Sequence, residues 1–437
     1  MRKVRIFLIL LFTICISALY GANADIEKFF SENKDKIWSL NPQQVSIVLG
    51  VNLKAQDEFD NIMRYNIKES KDRITFKDMN IAEMLFYFKQ RKLQSVLVSF
   101  YNRGDSGKIE EKRFLDIQKT VTKFLTSALQ CQKTTVENVK FDKSVVQSVK
   151  YTDDFSDYIL QFSRRSKSPE YIQLKIYPSG KSVALKKTIR ADVNLKSLKE
   201  NVKKSDGNVR YLDIPMVNQG QKGYCAAATV ERIMKYYGAE VDQQIIAQIA
   251  QSDSARGTNA EILFNVIEKN SAKLNVKVEK VMTEKIFSNV SNFKRFHDVY
   301  NDFAAKKRYK RYKFKKLLSS SGKDRTFDFN TFFNVYFYDA FLKARMEDEK
   351  NYDRFKVAIR NSINNGVPLI WIAFVFEKSK PGQRIGNVAL HMNIINGCDG
   401  LKSIIYTDSW GKGHERKFMR MQDAWARTLM LAKIMPK

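Results

Sequence analysis

The chain has 437 residues, 44% of them hydrophobic, and a formal charge of +29 at neutral pH. That length predicts two or three domains with separate cores. The absence of any long apolar stretch beyond the N-terminus excludes a polytopic membrane protein. The positive excess predicts attraction to nucleic acid, anionic lipid or acidic polymer, or else a solubility feature spread over many faces.

The first 24 residues read as a signal peptide. Arg2, Lys3 and Arg5 form a basic start, Ile6 to Leu19 an apolar core too short for a bilayer span, and Ala22-Asn23-Ala24 a cleavage site. Removal of this segment lowers the formal charge from +29 to +26. It implies a secreted or periplasmic chain with no membrane span after processing. Three cysteines then remain, Cys131, Cys225 and Cys398. An odd count in an exported chain suggests one reactive thiol, with pairing of the other two left open.

Residues 25–205 read as an α+β region, a pro-region or an accessory domain. An amphipathic helix is expected from Asp25 to Trp38, broken by Asn41-Pro42. Strands are expected at Arg73–Phe76, Glu83–Phe88 and Leu93–Tyr101, then a turn through Arg103-Gly104-Asp105 and a long helix from Glu110 to Leu129. The Arg-Gly-Asp tripeptide matches an adhesion motif, but a plain turn accounts for it fully. Short strands follow at Val145–Tyr151, Tyr158–Ser163, Tyr171–Tyr177 and Ser182–Leu185, the last two joined by Pro178-Ser179-Gly180. The polar segment Lys196–Asn208 reads as a linker.

The catalytic candidate lies in residues 206–437. Val217 to Gly238 reads as a glycine turn carrying Gln219, then a helix opening at Cys225 and ending at Gly238, with Ala226, Val230, Ile233, Met234 and Tyr237 on one buried stripe. A cysteine on the first turn of a helix lies where free backbone N–H groups favour a thiolate. Helices are expected at Asp242–Ala250, Ala260–Lys269 and Tyr352–Asn364. Residues 280–350 read as a charged and aromatic insertion. Within it Lys306–Lys316 has eight Lys or Arg in eleven positions, with Tyr309, Tyr312 and Phe314 interleaved. That string suits polyanion contact or a solvated face with aromatic anchors. Val367–Phe376 reads as a buried strand, followed by strands at Asn387–Ile395 and Leu401–Thr407.

A thiolate nucleophile needs a base, a group orienting that base, and oxyanion donors. His391 on a strand, Asp408 closing the next strand, and Gln219 six residues before Cys225 supply one candidate for each role. His297 and His414 are expected at the surface, with His414 near enough to Asp408 in sequence to line the cleft. No metal-ligand spacing is present, so no metal and no cofactor is expected.

Asn218-Gln219-Gly220, Gly223-Tyr224-Cys225-Ala226 and Asp408-Ser409-Trp410-Gly411 resemble the corresponding segments of papain-like cysteine peptidases. Tyr224-Cys225-Ala226-Ala227-Ala228, Tyr236-Tyr237-Gly238 and Gly366-Val367-Pro368 resemble the double-glycine leader peptidase-like (C39-like, bacteriocin-processing-like) branch. The resemblance implies an α+β papain-like fold, a helical half with Cys225 facing an antiparallel sheet half. It further implies Cys225 as nucleophile, His391 as base, Asp408 as orienting residue, Gln219 as oxyanion donor and Trp410 as a shield over His391–Asp408. The sequence departs from papain in having Ala226 after the nucleophile, Lys222 in place of a disulfide cysteine, and Asp408 in place of asparagine. Cys225 and His391 are also further apart than the roughly 130–150 residues usual for papain-like enzymes. The expected activity is hydrolysis of a peptide or protein substrate. An amide-transferring or deamidating, transglutaminase-like enzyme and a non-catalytic polyanion-binding protein remain as alternatives.

Overall fold

The computed structural model describes residues 22–437 except 58–60, 142, 183–188, 206, 221–222, 240, 242, 251, 253–256, 322–323 and 327–328. The architecture is α+β, with two eight-stranded sheets that follow one another along the chain. No helix among the described residues is long and apolar enough to cross a membrane. The expected signal core and most of the expected strand Ser182–Leu185 lie outside the described residues. Asn23–Asp25, at the expected cleavage site, pairs in parallel with Arg73–Thr75.

The first sheet contains β1 (Lys54–Ala55), β2 (Ile62–Asn66), β3 (Glu83–Lys89), β4 (Lys92–Asn102), β5 (Gln132–Phe141), β6 (Ser144–Thr152), β7 (Ser156–Arg165) and β8 (Ser168–Pro178). Their spatial order is β1-β2-β3-β4-β8-β7-β6-β5, with antiparallel neighbours throughout. Alternate residues such as Met84, Phe86, Val96 and Val98 turn inward, as the two-residue period of a strand dictates. They meet helices α1 (Ile26–Glu32), α2 (Pro42–Leu49) and α3 (Glu111–Lys123) in one apolar core.

The chain between Asp25 and Gly50 differs from expectation. The first helix stops at Glu32, and Asn41-Pro42 starts a second helix instead of only ending the first. The Asn41 side chain accepts from the Gln44 N–H at 3.0 Å while the Asn41 N–H donates to Gln44 Oε1 at 2.9 Å. This reciprocal cap, with Pro42 at a position whose N–H has no helical partner, makes the dipeptide a start signal.

The second sheet runs β9 (Lys203–Lys204), β10 (Val209–Tyr211), β11 (Val276–Thr283), β12 (Leu369–Phe376), β13 (Val388–Asp399), β14 (Ser403–Thr407), β15 (Lys417–Arg420) and β16 (Thr428–Pro436). The order is β9-β10-β13-β12-β16-β11, with β14 pairing β13 and β15. The expected linker therefore supplies an edge strand. β12 is buried along most of its length, as its unbroken apolar run requires. β13 pairs with β12 from Val388 to Ile395 and with β14 from Ile394 to Asp399, and this places His391 opposite Ala373.

Helix α4 (Cys225–Tyr236) rests on this sheet, flanked by α5 (Gln243–Ile249) and α6 (Ala260–Lys269). Three alanines favour the helix, and Gly238 at φ +79° provides the left-handed exit. One buried stripe is expected for α4, yet every residue from Ala226 to Met234 is buried, including Glu231 and Arg232. The reason is tertiary: Arg232 is enclosed by Pro215, Thr407 and Asp408, and Glu231 faces the first sheet across a cavity of about 430 Å³ lined by Tyr87, Ser95, Leu97, Lys175 and Tyr177.

Residues 286–346 build a separate aromatic core around Phe293, Phe332, Tyr336 and Phe341, which also receives Phe374 and Phe376 of β12. The expectation of a surface His297 is corrected here. His297 is fully buried, with Nδ1 2.7 Å from the Tyr336 hydroxyl and Nε2 2.7 Å from the Tyr312 carbonyl. In the basic run, Tyr309 stacks on Phe337 with centroids 3.9 Å apart and Phe314 is buried, whereas all eight Lys and Arg residues are exposed.

Candidate active site

Cys225 opens α4 with Tyr224 at the N-cap, so the sulfur lies by the unpaired N–H groups of the first turn. Backbone N–H groups of Met392, Ala226 and Cys225 itself approach it. Met392 follows His391 on β13, and the Thr229 hydroxyl donates to the Met392 carbonyl at 3.1 Å. One turn of α4 is thus fastened to the strand carrying His391. The structure brings Cys225 against the backbone of Met392, the residue after His391, across the helix–sheet junction.

Burial has a larger effect on this pair than the helix terminus does. It pushes the Cys225 thiol above its ordinary value, and the three N–H groups oppose that shift without cancelling it. It also lowers the His391 imidazole, with Asp408 opposing and Lys417 and His414 reinforcing the shift. Burial therefore works against the expected resting thiolate and favours the neutral form of each group. His391 stacks on Trp410 at 5.9 Å with an interplanar angle of 14°. Its Nε2 is buried with no hydrogen-bond partner among the described residues, an arrangement that folded proteins rarely tolerate without cause.

Asp408 is near His391 but does not hydrogen-bond to it. Its Oδ1 lies 2.6 Å from His414 Nδ1, and its Oδ2 accepts from Lys417 Nζ at 2.8 Å. The Trp410 N–H adds a weaker contact at 3.2 Å. His414, expected at the surface but near enough to Asp408 in sequence to line the cleft, is two-thirds buried against this carboxylate. The Asp408 carbonyl accepts from Arg232 of α4 at 2.5 Å, and Arg232 also donates to the Thr407 hydroxyl at 2.7 Å and the Pro215 carbonyl at 2.8 Å. Burial of Arg232 lowers its guanidinium to about 10. Since Arg232 is seven residues after Cys225, two helical turns place it on the same side of α4. Its spacing was legible in the sequence, but its acceptors, Pro215 and Thr407–Asp408, were not.

Gln219 is buried, and its backbone N–H donates to the Ser409 carbonyl at 2.9 Å. Its Oε1 accepts from the Ser409 hydroxyl at 2.6 Å. That bond fixes the amide orientation and leaves Nε2 without a hydrogen-bond partner among the described residues. The donor is thus available for an oxyanion, and Ser409 is the residue that aims it. Cys131 and Cys398 are free, buried thiols in different cores, so neither pairs with the other.

A model of the Peptidase_C39 like family matches residues 211–432, half of the chain, and this span includes Gln219, Cys225, His391 and Asp408. Comparison with curated proteins gave no match.

Proposed function

Because the chain belongs to the Peptidase_C39 like family, which is related to papain-like cysteine peptidases, we propose that it is an exported cysteine hydrolase that cleaves peptide bonds at Cys225. The observation that carries this reading is the junction of the α4 N-terminus with β13, where a half-buried thiol abuts the strand of a histidine with an unpartnered ring nitrogen.

In the proposed reaction a peptide carbonyl enters between Cys225 and Gln219. His391 takes the thiol proton as sulfur attacks carbon, because the resting pair is neutral. The Cys225 N–H and Gln219 Nε2 hold the tetrahedral oxyanion. Collapse breaks the C–N bond, and the His391 proton leaves with the amine. Water then adds to the thioester, His391 accepts its proton, and the acid departs as the thiol re-forms. The Asp408 carboxylate, already paired with His414 and Lys417, stabilises the transient imidazolium through space, while Trp410 holds the ring in plane.

Product analysis distinguishes this from amide transfer. Incubation of the purified chain with peptide substrates and an added primary amine gives two shorter products under the proposal. A product whose mass includes the amine establishes transfer instead. Loss of either product in Cys225→Ala is required by both readings, and cleavage that survives this variant overturns them. Export is tested by sequencing the N-terminus of the chain recovered outside the cell, where a start at Asp25 is expected.

The basic run supports a second contact of a simple kind. Its rings are engaged inside the protein while its cations face solvent, which suits binding to a polyanion by charge and not by base stacking.

A further inference from the structure

The N-terminal sheet reaches the catalytic loops at two places, and one of them controls the segment that carries Gln219. Gln56, just beyond β1, is 5% exposed. Its Nε2 donates to the Lys54 carbonyl at 3.0 Å and the Ala55 carbonyl at 3.2 Å, so its Oε1 must point away from β1. That oxygen accepts from Asn218 Nδ2 at 2.6 Å. With its Nδ2 committed, Asn218 presents Oδ1 to the Gly220 N–H at 2.7 Å. Gly220 has φ +62°, the left-handed conformation that turns the chain toward Cys225. Gln219 sits between the two ends of this hydrogen-bonded turn.

The opposite wall of the site meets the same pair. A Cβ on Gly411, which has φ +88°, would lie 2.8 Å from Asn218 Nδ2 and 3.3 Å from Gln56 Oε1. The loop Asp408–Gly411 therefore closes directly over the Gln56–Asn218 bond. The second place of contact is Tyr224, the N-cap of the Cys225 helix. Its hydroxyl is 3.5 Å from Asn102 Oδ1, and a Cβ on Gly104 would overlap its ring. Asn102 also bonds to Gln244 of α5. The Arg-Gly-Asp turn is thus a docking element for α4, with Arg103 held by Glu170 at 3.0 Å.

We propose that Gln56 is a positioning residue of the active site, supplied by the N-terminal sheet, which sets the oxyanion turn through Asn218 and Gly220. This rests on the function proposed above. It gives the N-terminal part a role in the working enzyme and not that of a removable pro-region. Gln56 touches neither substrate nor sulfur, so its loss acts on oxyanion stabilisation and leaves the reactivity of the thiol itself alone.

Two reagents separate these effects in the full-length chain at one fixed pH. A p-nitrophenyl ester acylates Cys225 through a tetrahedral oxyanion, whereas iodoacetamide alkylates the sulfur without forming one. Gln56→Met, which keeps the volume and removes the acceptor, is expected to slow acylation roughly tenfold and to leave alkylation within about twofold. Equal slowing of both reactions, or of neither, overturns the proposal. If Gln56→Met does not fold, Gly411→Ala displaces the same pair from the other side and is expected to give the same split. If the native chain is acylated no faster than Cys225→Ala, the reading of the site itself fails. That outcome is distinct from a native chain that reacts while Gln56→Met shows no split.

Discussion

Two regions of this protein bury a histidine, and they treat it in opposite ways. In the aromatic core around residues 286–346, His297 has partners on both ring nitrogens, Tyr336 and Tyr312, with Tyr336 stacked on its ring and Phe314 packed edge-on. At the junction of α4 and β13, His391 has one face on Trp410 and a buried Nε2 with no partner among the described residues. Burial lowers the imidazole in both places. The difference is that one region satisfies both ring nitrogens it buries, whereas the other leaves Nε2 unpaired among the described residues, on the strand whose next residue, Met392, approaches the Cys225 thiol. A satisfied histidine stabilises a fold. An unsatisfied one beside a nucleophile is the arrangement that acid–base chemistry uses.

The comparison can be broken most directly by exchanging each ring for an uncharged amide. His391→Gln is expected to reduce peptide hydrolysis roughly a thousandfold or more, whereas His297→Gln is expected to leave kcat/KM within a few-fold. A large loss of kcat/KM in a folded His297→Gln would show that the aromatic core takes part in the reaction.

The next largest effect concerns how the junction is held. Arg232→Met removes three charge-assisted hydrogen bonds that tie α4 to Pro215, Thr407 and Asp408. A stability loss of about 2–4 kcal/mol in denaturant unfolding is expected. A loss below about 0.5 kcal/mol would mean that the Asp408 loop is held by its other contacts.

Acid conditions should affect both regions in the same direction. Each histidine is harder to protonate in the folded chain than in the unfolded one, so the unfolded state binds more protons once the pH falls through about 6.5. The stability these buried neutral rings contribute is fully present above that value and is lost as the pH falls toward their lowered folded values. Unfolding midpoints measured from pH 8 to pH 5 should therefore decline, and His297→Gln should flatten the slope. An unchanged slope in that variant would assign the acid sensitivity elsewhere.

The smallest expected effect separates the surface from both sites. Neutralising Lys310, Arg311, Lys313, Lys315 and Lys316 to Gln should lower the salt concentration needed to elute the chain from an immobilised polyanion. Peptide hydrolysis should change by less than about twofold. Unaltered elution would place polyanion contact on other faces of this basic protein.

Much of the site was legible in the sequence because short-range patterns encode it. The glycine turn, the alanine-rich start and Gly238 place Cys225 at a helix N-terminus, and the apolar runs place His391 on a strand. What misled were the second uses of the same residues. Asn41-Pro42 reads as a break by the clash of proline with a preceding helix, yet the Gln44 side chain converts it to a cap. His297 reads as exposed because nothing local predicts a partner, and its partners are 15 and 39 residues away. The thiolate expected at the helix terminus was overridden by desolvation, a property of the packed surroundings and not of the helix.

The sequence alone determined which residues could do chemistry and on which elements they lie, since helix and strand periods and turn residues act over a few positions. Only the tertiary structure decided how they are poised. It buried Cys225 and His391 so that the neutral form of each is favoured, paired Asp408 with His414 and Lys417, bonded Ser409 to the Gln219 amide, and brought Gln56 from another sheet to Asn218. Except for the Asp408 pairing, whose partners lie six and nine residues away, each of these depends on hydrogen bonds or burial between residues far apart in the chain. Such contacts exist only after the two sheets have packed around α4, and no local pattern records them.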